Sequence, residues 1–116
     1  MYETYKSQAQ IYLVYIKEAH PSDGGGRVFG NIKSVKQPTT YEERCKVAGD
    51  FVKDLKIAIP TLVDSIDNKT STAYSAGPDR IYVIGKDGKV FYKGERGPFG
   101  FKVDEAEAAL KKMLGK

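Results

Sequence analysis

Cysteine and histidine are almost absent from the chain, which has one of each, Cys45 and His20. A single thiol excludes a disulfide framework, an internal CxxC redox pair and a cysteine-rich zinc site. With one imidazole, a transition-metal site built by the protein would have to lean on carboxylates. No metal and no other cofactor is expected. Long apolar runs are missing as well: the longest, such as Ile11 to Ile16, fall far short of the ~20 residues that cross a bilayer. The stretch MYETYKSQAQ has neither the basic n-region nor the apolar h-region of a signal peptide. No membrane association is expected, and the cytoplasm is the expected compartment. Nor is there a block of like charge. The 19 basic and 15 acidic residues interleave to a net charge of +4, a pattern that keeps a small domain dissolved and does not outline a nucleic-acid-binding face.

What is present is enough for one core. At 116 residues and 41% apolar content the chain reads as a single domain, residues 1–116. Tyr2 to Ser7 reads as the last turn or two of a helix without a start signal. Gln10 to Ile16 (QIYLVYI) is almost continuously apolar, β-branched and aromatic, as in a strand of a parallel α/β sheet covered on both faces. The glycine-rich stretch from His20 to Pro38 is then a loop at that strand's end. Thr40-x-x-Glu43 is a capping box. Tyr41, Cys45, Ala48, Val52 and Leu55 follow as one apolar helical stripe, on which the Cys45 thiol is expected to be buried and inert.

Ile59 to Val63 is a second strand, and Asp67 can cap a short helix through Ala73 and Tyr74. Arg80 to Ile84 and Lys89 to Lys93 flank Gly85-Lys86-Asp87-Gly88, the signature of an antiparallel hairpin. Asp104-x-x-Glu107 opens a last helix with Ala106, Ala109, Leu110 and Met113 on its apolar face and Gly115 as its stop. Strands alternating with helices, closed by a hairpin and a helix, give an α/β class with parallel crossovers.

Two long stretches carry a resemblance. YLVYIKEAHPSDG, Tyr12 to Gly24, and VDSIDNKTSTAYSAGPDRIYVIGKDGKVFYKGERGPFGF, Val63 to Phe101, resemble the iodothyronine deiodinases and their bacterial relatives. The first contains the family's E-A-H-P-S-D-G run. The second contains its D-N-x-[ST]-S-x-A-Y segment, R-[IL]-Y-V-I strand and G-x-R-G-P-[FW]-G-[FY] loop. The resemblance implies a thioredoxin-like three-layer sandwich with a mixed sheet. It also implies a thiol or selenol oxidoreductase, acting by reductive dehalogenation or by peroxide or disulfide reduction, in which a selenolate or thiolate attacks and a nearby acid donates the proton.

On that resemblance His20 is the proton donor, carried on the loop at the C-terminal end of a parallel strand, and Glu18 is its partner, able to orient the imidazole and favour its protonated form. Arg80, Tyr15 and Ser22 are candidate substrate-binding residues, and Tyr15 reads equally as a core aromatic. Pro78 falls where thioredoxin-like folds place a cis-proline beside the site. The partners implied are a small-molecule or thiol substrate and a thiol reductant.

Two departures carry expectations of their own. Pro38 and Thr39 stand where the family has a second histidine that contributes to thyroid-hormone binding. The family's selenocysteine or cysteine segment is expected ahead of Met1, so that the first β-strand and most of the first helix of the sandwich, with the attacking group, lie outside these residues. The two apolar strands Tyr12 to Ile16 and Arg80 to Ile84 would then flank a gap, with an altered sheet, a strand-swapped homodimer or poor stability as the consequence. A non-catalytic thioredoxin-like binding module, holding an anion or a protein on the HPSDGGG loop and Arg80, is the reading from a different class.

Overall fold

The computed structural model describes residues 1–18 and 36–116. Its elements are α1 (Tyr2–Tyr5), β1 (Leu13–Tyr15), α2 (Tyr41–Asp54), β2 (Thr61–Val63), α3 (Lys69–Tyr74), β3 (Tyr82–Ile84), β4 (Val90–Lys93) and α4 (Val103–Met113). This is a mixed α/β protein whose element order follows the one read from the sequence. The described residues form two compact units, Ile11–Tyr74 and a second made of Met1–Gln10 with Ser75–Lys116. Each has its own two-stranded sheet, β1-β2 in the first and β3-β4 in the second.

In the first unit β1 and β2 run parallel, with Leu13 opposite Thr61, Val14 opposite Leu62 and Tyr15 opposite Val63. The pairing is shorter than the apolar runs that encode it, and within this unit α2 covers one of its faces. Val14 and Leu62 are exposed, while their neighbours along each strand are half-buried. Alternation along a strand sends successive side chains to opposite faces, and α2 packs on β2.

α2 starts where its capping signal lies, but the box is displaced by one residue. Thr40 Oγ1 accepts from Glu43 N at 3.1 Å, while the Glu43 carboxylate reaches back chiefly to the Thr39 N–H, at 2.8 Å. The Thr39 backbone N–H is the chief cause that holds the Glu43 carboxyl below its ordinary range. At the other end Lys56 takes a left-handed φ of 52°, and Ile57 N donates to Val52 O at 3.0 Å, a Schellman closure made without glycine. The stripe read from residue types is corrected at both ends. Tyr41 is exposed and Leu55 is 63% exposed, and the buried positions of α2 are Arg44 and Ala48, because Arg44 finds carbonyl partners that the apolar pattern does not reveal.

α3 is capped by Asp64, not by Asp67. The Asp64 carboxylate accepts from Thr70 N at 2.9 Å and Ser71 N at 2.8 Å, and Asp67 accepts instead from the Ser65 hydroxyl. Asn68, at a left-handed φ of 61°, makes the tight entry that lets a residue so far upstream reach the helix start.

In the second unit the hairpin forms as its Asp-Gly turn dictates. Gly88 N donates to Gly85 O at 2.9 Å, the Asp87 carboxylate accepts from Lys89 N at 3.0 Å, and Gly88 supplies the positive φ of 78°. Tyr82 pairs with Lys93, Val83 with Tyr92 and Ile84 with Val90, which leaves Phe91 as the bulged residue. α4 packs on both strands through Ala106 and Leu110. It begins at Val103 after Lys102, which makes no side-chain cap. Asp104 therefore sits inside the first turn with Glu105, facing the positive end of the helix dipole, and does not cap. Its other end closes as expected: Gly115 has φ 77°, and Lys116 N donates to Lys111 O at 2.9 Å.

Candidate functional site

The first unit gathers its polar side chains at the C-terminal ends of β1 and β2. Parallel pairing sends both chain exits to the same edge, the place where α/β sheets hold ligands. Asp64 N donates to Tyr15 O at 2.9 Å, which carries the pairing one step beyond the strands. The half-buried Tyr15 ring packs on Phe51 of α2 at 5.8 Å between centroids and 54° between planes.

Asp64, 2% exposed, is the buried acid here. Burial pushes its carboxyl up, but the N–H groups of Ser71 and Thr70, the Thr70 hydroxyl and the Ser65 N–H outweigh it and hold the group below the ordinary range. Arg44, also 2% exposed, is the buried base. Its Nη1 donates to Ser65 O at 2.7 Å and to Asp64 O at 3.5 Å, and its Nε, shielded from solvent, has no partner among the described residues.

Glu18 completes the edge. Its main chain is clamped by the Gln37 side chain: Glu18 N donates to Gln37 Oε1 and Gln37 Nε2 donates to Glu18 O, both at 3.0 Å. Burial raises the Glu18 carboxyl above its ordinary range, and the positive charge of Arg44 opposes that rise. Chemically, this edge is a half-buried carboxylate with a fixed backbone and a buried guanidinium as counter-charge. His20 and Ser22 lie outside the described residues.

Arg80 and Pro78 belong to the other unit. Arg80 Nε donates to Gly94 O at 2.6 Å and Nη1 to Ser75 O at 3.2 Å, with the guanidinium 5.8 Å from the Tyr82 ring centroid. Arg96 Nε donates to the same Ser75 carbonyl at 3.0 Å. The bond Gly77-Pro78 is cis, as is Gly97-Pro98. Arg80 thus ties the approach to β3 onto the exit from β4. The loop that follows, Gly94 to Phe101, presents Phe99 at 93% exposure, and neighbouring backbone crowds it at Gly100. A Cβ there would run into the Glu95 side chain and sit 2.7 Å from Arg96 O. Gly100→Ala is therefore expected to destabilise the protein by about 1–3 kcal/mol, read as a lowered Tm in a thermal melt.

The Cys45 thiol is half-buried, not buried. It lines an open groove of about 400 Å³ between α2 and the start of β2, with Ala48, Val52, Ile59 and Val63 among the other walls. The shift of the buried face toward Arg44 turns it outward. A side-chain hydrogen bond with Cys45 is the first cause raising the Tyr41 hydroxyl above its ordinary range.

Glu18 and Tyr15 thus stand at one strand edge together with three residues that sequence patterning passes over. Arg44 lies one position off an apolar stripe, and a charge there reads as a solvated flank. Asp64 reads as a strand terminator, although an acid between a strand and a helix start is also a signal for a reaching cap. Nothing in the sequence singles out Gln37.

Parallel strands that deliver ionisable groups to one edge, and a bulged hairpin tied by an arginine, define a mixed α/β protein with an acid–base strand edge. The family model for iodothyronine deiodinase matches residues 1–114. The chain is 31% identical over 118 residues to the type II iodothyronine deiodinase of Aquarana catesbeiana, covering 100% of this chain and 44% of that one. It is 31% identical over 108 residues to the type I enzyme of Xenopus laevis, covering 93% and 41%. It is 39% identical over 102 residues to the thyroxine 5-deiodinase of Gallus gallus, covering 88% and 38%. The chain belongs to the iodothyronine deiodinase family. It spans less than half the length of these relatives. Among the described residues, no helix is long and apolar enough to cross a membrane.

Proposed function

We propose that this chain is the proton-donating part of a deiodinase-type thiol or selenol oxidoreductase, built as a thioredoxin-like sandwich, with the attacking thiolate or selenolate supplied from outside residues 1–116. The observation that carries the reading is the family match over residues 1–114, which includes the Glu18 to Gly24 run. A parallel first pair, an antiparallel second pair and a closing helix are the ingredients such a sandwich uses.

In this reading the attacking group takes the iodine of an aryl iodide, and the carbon–iodine bond breaks with its electron pair left on the ring carbon. His20 protonates that carbon, and Glu18 stabilises the imidazolium beforehand. A thiol reductant then cleaves the sulfur–iodine or selenium–iodine bond and releases iodide. Net, one aryl iodide and two thiols give the deiodinated arene, a disulfide, iodide and a proton. Arg80, Tyr15 and Ser22 are the residues we assign to substrate binding, with Pro78 beside them. Cys45 has no part in the step.

The test assays the full-length natural protein with a dithiol against an aryl iodide and hydrogen peroxide side by side. Iodide release that exceeds peroxide consumption supports reductive dehalogenation. Peroxide consumption without iodide would make the protein a peroxidase and overturn the assignment of substrate class.

A further inference from the structure

We propose that Gln37 and Arg44 are positioning residues for Glu18, Gln37 by clamping its main chain and Arg44 by holding a buried positive charge at the same strand edge. The proposal deepens the reading of Glu18 as the partner of the proton donor and rests on that reading for its link to turnover.

Three observations lead to it. First, a side-chain amide that both donates to and accepts from one residue's backbone, at 3.0 Å each way, fixes that residue in position and in rotation about the chain. A single hydrogen bond would leave the rotation free. The pair also joins chain positions 19 residues apart, so Glu18 is located by the segment that leads into α2 and not by β1 alone.

Second, Arg44 is a guanidinium at 2% exposure whose hydrogen-bond partners among the described residues, the Ser65 and Asp64 carbonyls, carry no formal charge. A buried cation without an anion is costly. The nearest buried carboxylate along the chain, Asp64, is occupied by the N–H groups of Thr70 and Ser71. Third, Arg44 and Glu18 come to the same strand edge: Arg44 Nη1 donates to the Asp64 and Ser65 carbonyls at the exit of β2, Asp64 N donates to Tyr15 O at the exit of β1, and Glu18 lies just beyond Tyr15, its raised carboxyl opposed by the Arg44 charge. Ser65 O holds the guanidinium at 2.7 Å, so the counter-charge comes from a rigid helix anchored to the end of β2.

Neither residue touches a reacting atom in this account. Their effect is on where Glu18 stands and in which state of charge, and misplacement of a supporting group by about 1 Å can cost roughly a hundredfold in rate. The fork of Arg44 serves the carbonyls and its charge serves Glu18, so a lysine should keep the second function and lose part of the first.

The experiment follows the Glu18 carboxylate by carbon-13 NMR in the full-length protein, comparing the parent with Arg44→Met, Arg44→Lys and Gln37→Leu. Steady-state kinetics are run on the same samples. Arg44→Met is expected to move the Glu18 titration midpoint upward, and Arg44→Lys to return it most of the way. Gln37→Leu is expected to lower kcat roughly tenfold or more with KM little changed. If Arg44→Met does not fold, Arg44→Gln, which keeps N–H donors for the carbonyls and removes the charge, takes its place with the same expected shift. A folded Arg44→Met protein with an unmoved Glu18 midpoint overturns the role of Arg44, and a Gln37→Leu protein with parental kcat overturns that of Gln37. A parent inactive on both substrates would remove the functional reading and leave the Arg44 inference to be decided by the titration alone.

Discussion

His20→Ala in the full-length protein is expected to lower kcat for aryl-iodide reduction by roughly 10²–10⁴-fold, the usual contribution of a positioned general acid, with a much smaller change in KM. The sign of the pH effect is fixed by the role. An imidazole that donates a proton must carry it, so turnover of the parent falls on the alkaline side as the donor is lost. The alanine variant should lack that fall. Glu18→Gln should behave as a weaker version of the same change, because the amide keeps the shape of the side chain and removes the charge that favours the imidazolium. Iodide release measured across pH for the three proteins checks all of this. A His20→Ala protein with parental kcat and an unchanged alkaline limb would show that the proton comes from elsewhere.

The second large effect is on stability. Asp64→Ala is expected to cost about 3 kcal/mol, since it leaves the N–H groups of Thr70 and Ser71 without their charged acceptor in a site that is 2% exposed. Urea denaturation should show a lower midpoint with an unchanged slope. The pH dependence has a definite direction. The Asp64 carboxyl is held below its ordinary range in the fold, so its contribution is fully present above the unfolded value of roughly 3.9. It is lost as pH falls through the folded value. Asp64→Asn should therefore flatten the acid side of the stability curve. Glu18 has the opposite sign. Its carboxyl is raised, so the folded state gains from it below the ordinary glutamate value, and the gain disappears as pH rises through the raised one. A parent whose acid limb is unaffected by Asp64→Asn would contradict the capping role.

The two groups also show what a sequence reveals and what it hides. The hairpin is legible because Gly85-Lys86-Asp87-Gly88 carries its own turn chemistry, and α4 is legible because Ala106 and Leu110 repeat with the helix. Both signals are local. The buried face of α2 is not legible, because residue type promotes Tyr41 and Leu55 and demotes Arg44. The burial of Arg44 depends on where the Ser65 carbonyl comes to lie, 21 residues further on. The same holds for α3, where Asp67 has the right spacing for a cap but the turn at Asn68 brings Asp64 to the helix start instead. Glu18 and Tyr15 become candidates through the family resemblance alone. Their setting, a clamp from Gln37 and a ring contact with Phe51, is formed by contacts that no periodicity encodes.

The coverage of β1 is seen within its unit on one face only, where α2 packs on β2. An uninterrupted apolar run states that the side chains prefer burial, and not that a second layer is present to bury them. Val14 and Leu62 are exposed within their unit, and the two strand pairs stand as separate sheets.

The central claim is that a member of this family reduces a carbon–iodine bond and returns a proton to the carbon. It is tested most directly by running the reaction of the full-length protein in heavy water and analysing the arene by mass spectrometry. The account predicts one deuterium on the ring carbon that carried iodine for each iodide released, with incorporation slowed in His20→Ala. A hydroxyl group at that carbon, or arene formed without iodide in solution, would contradict it.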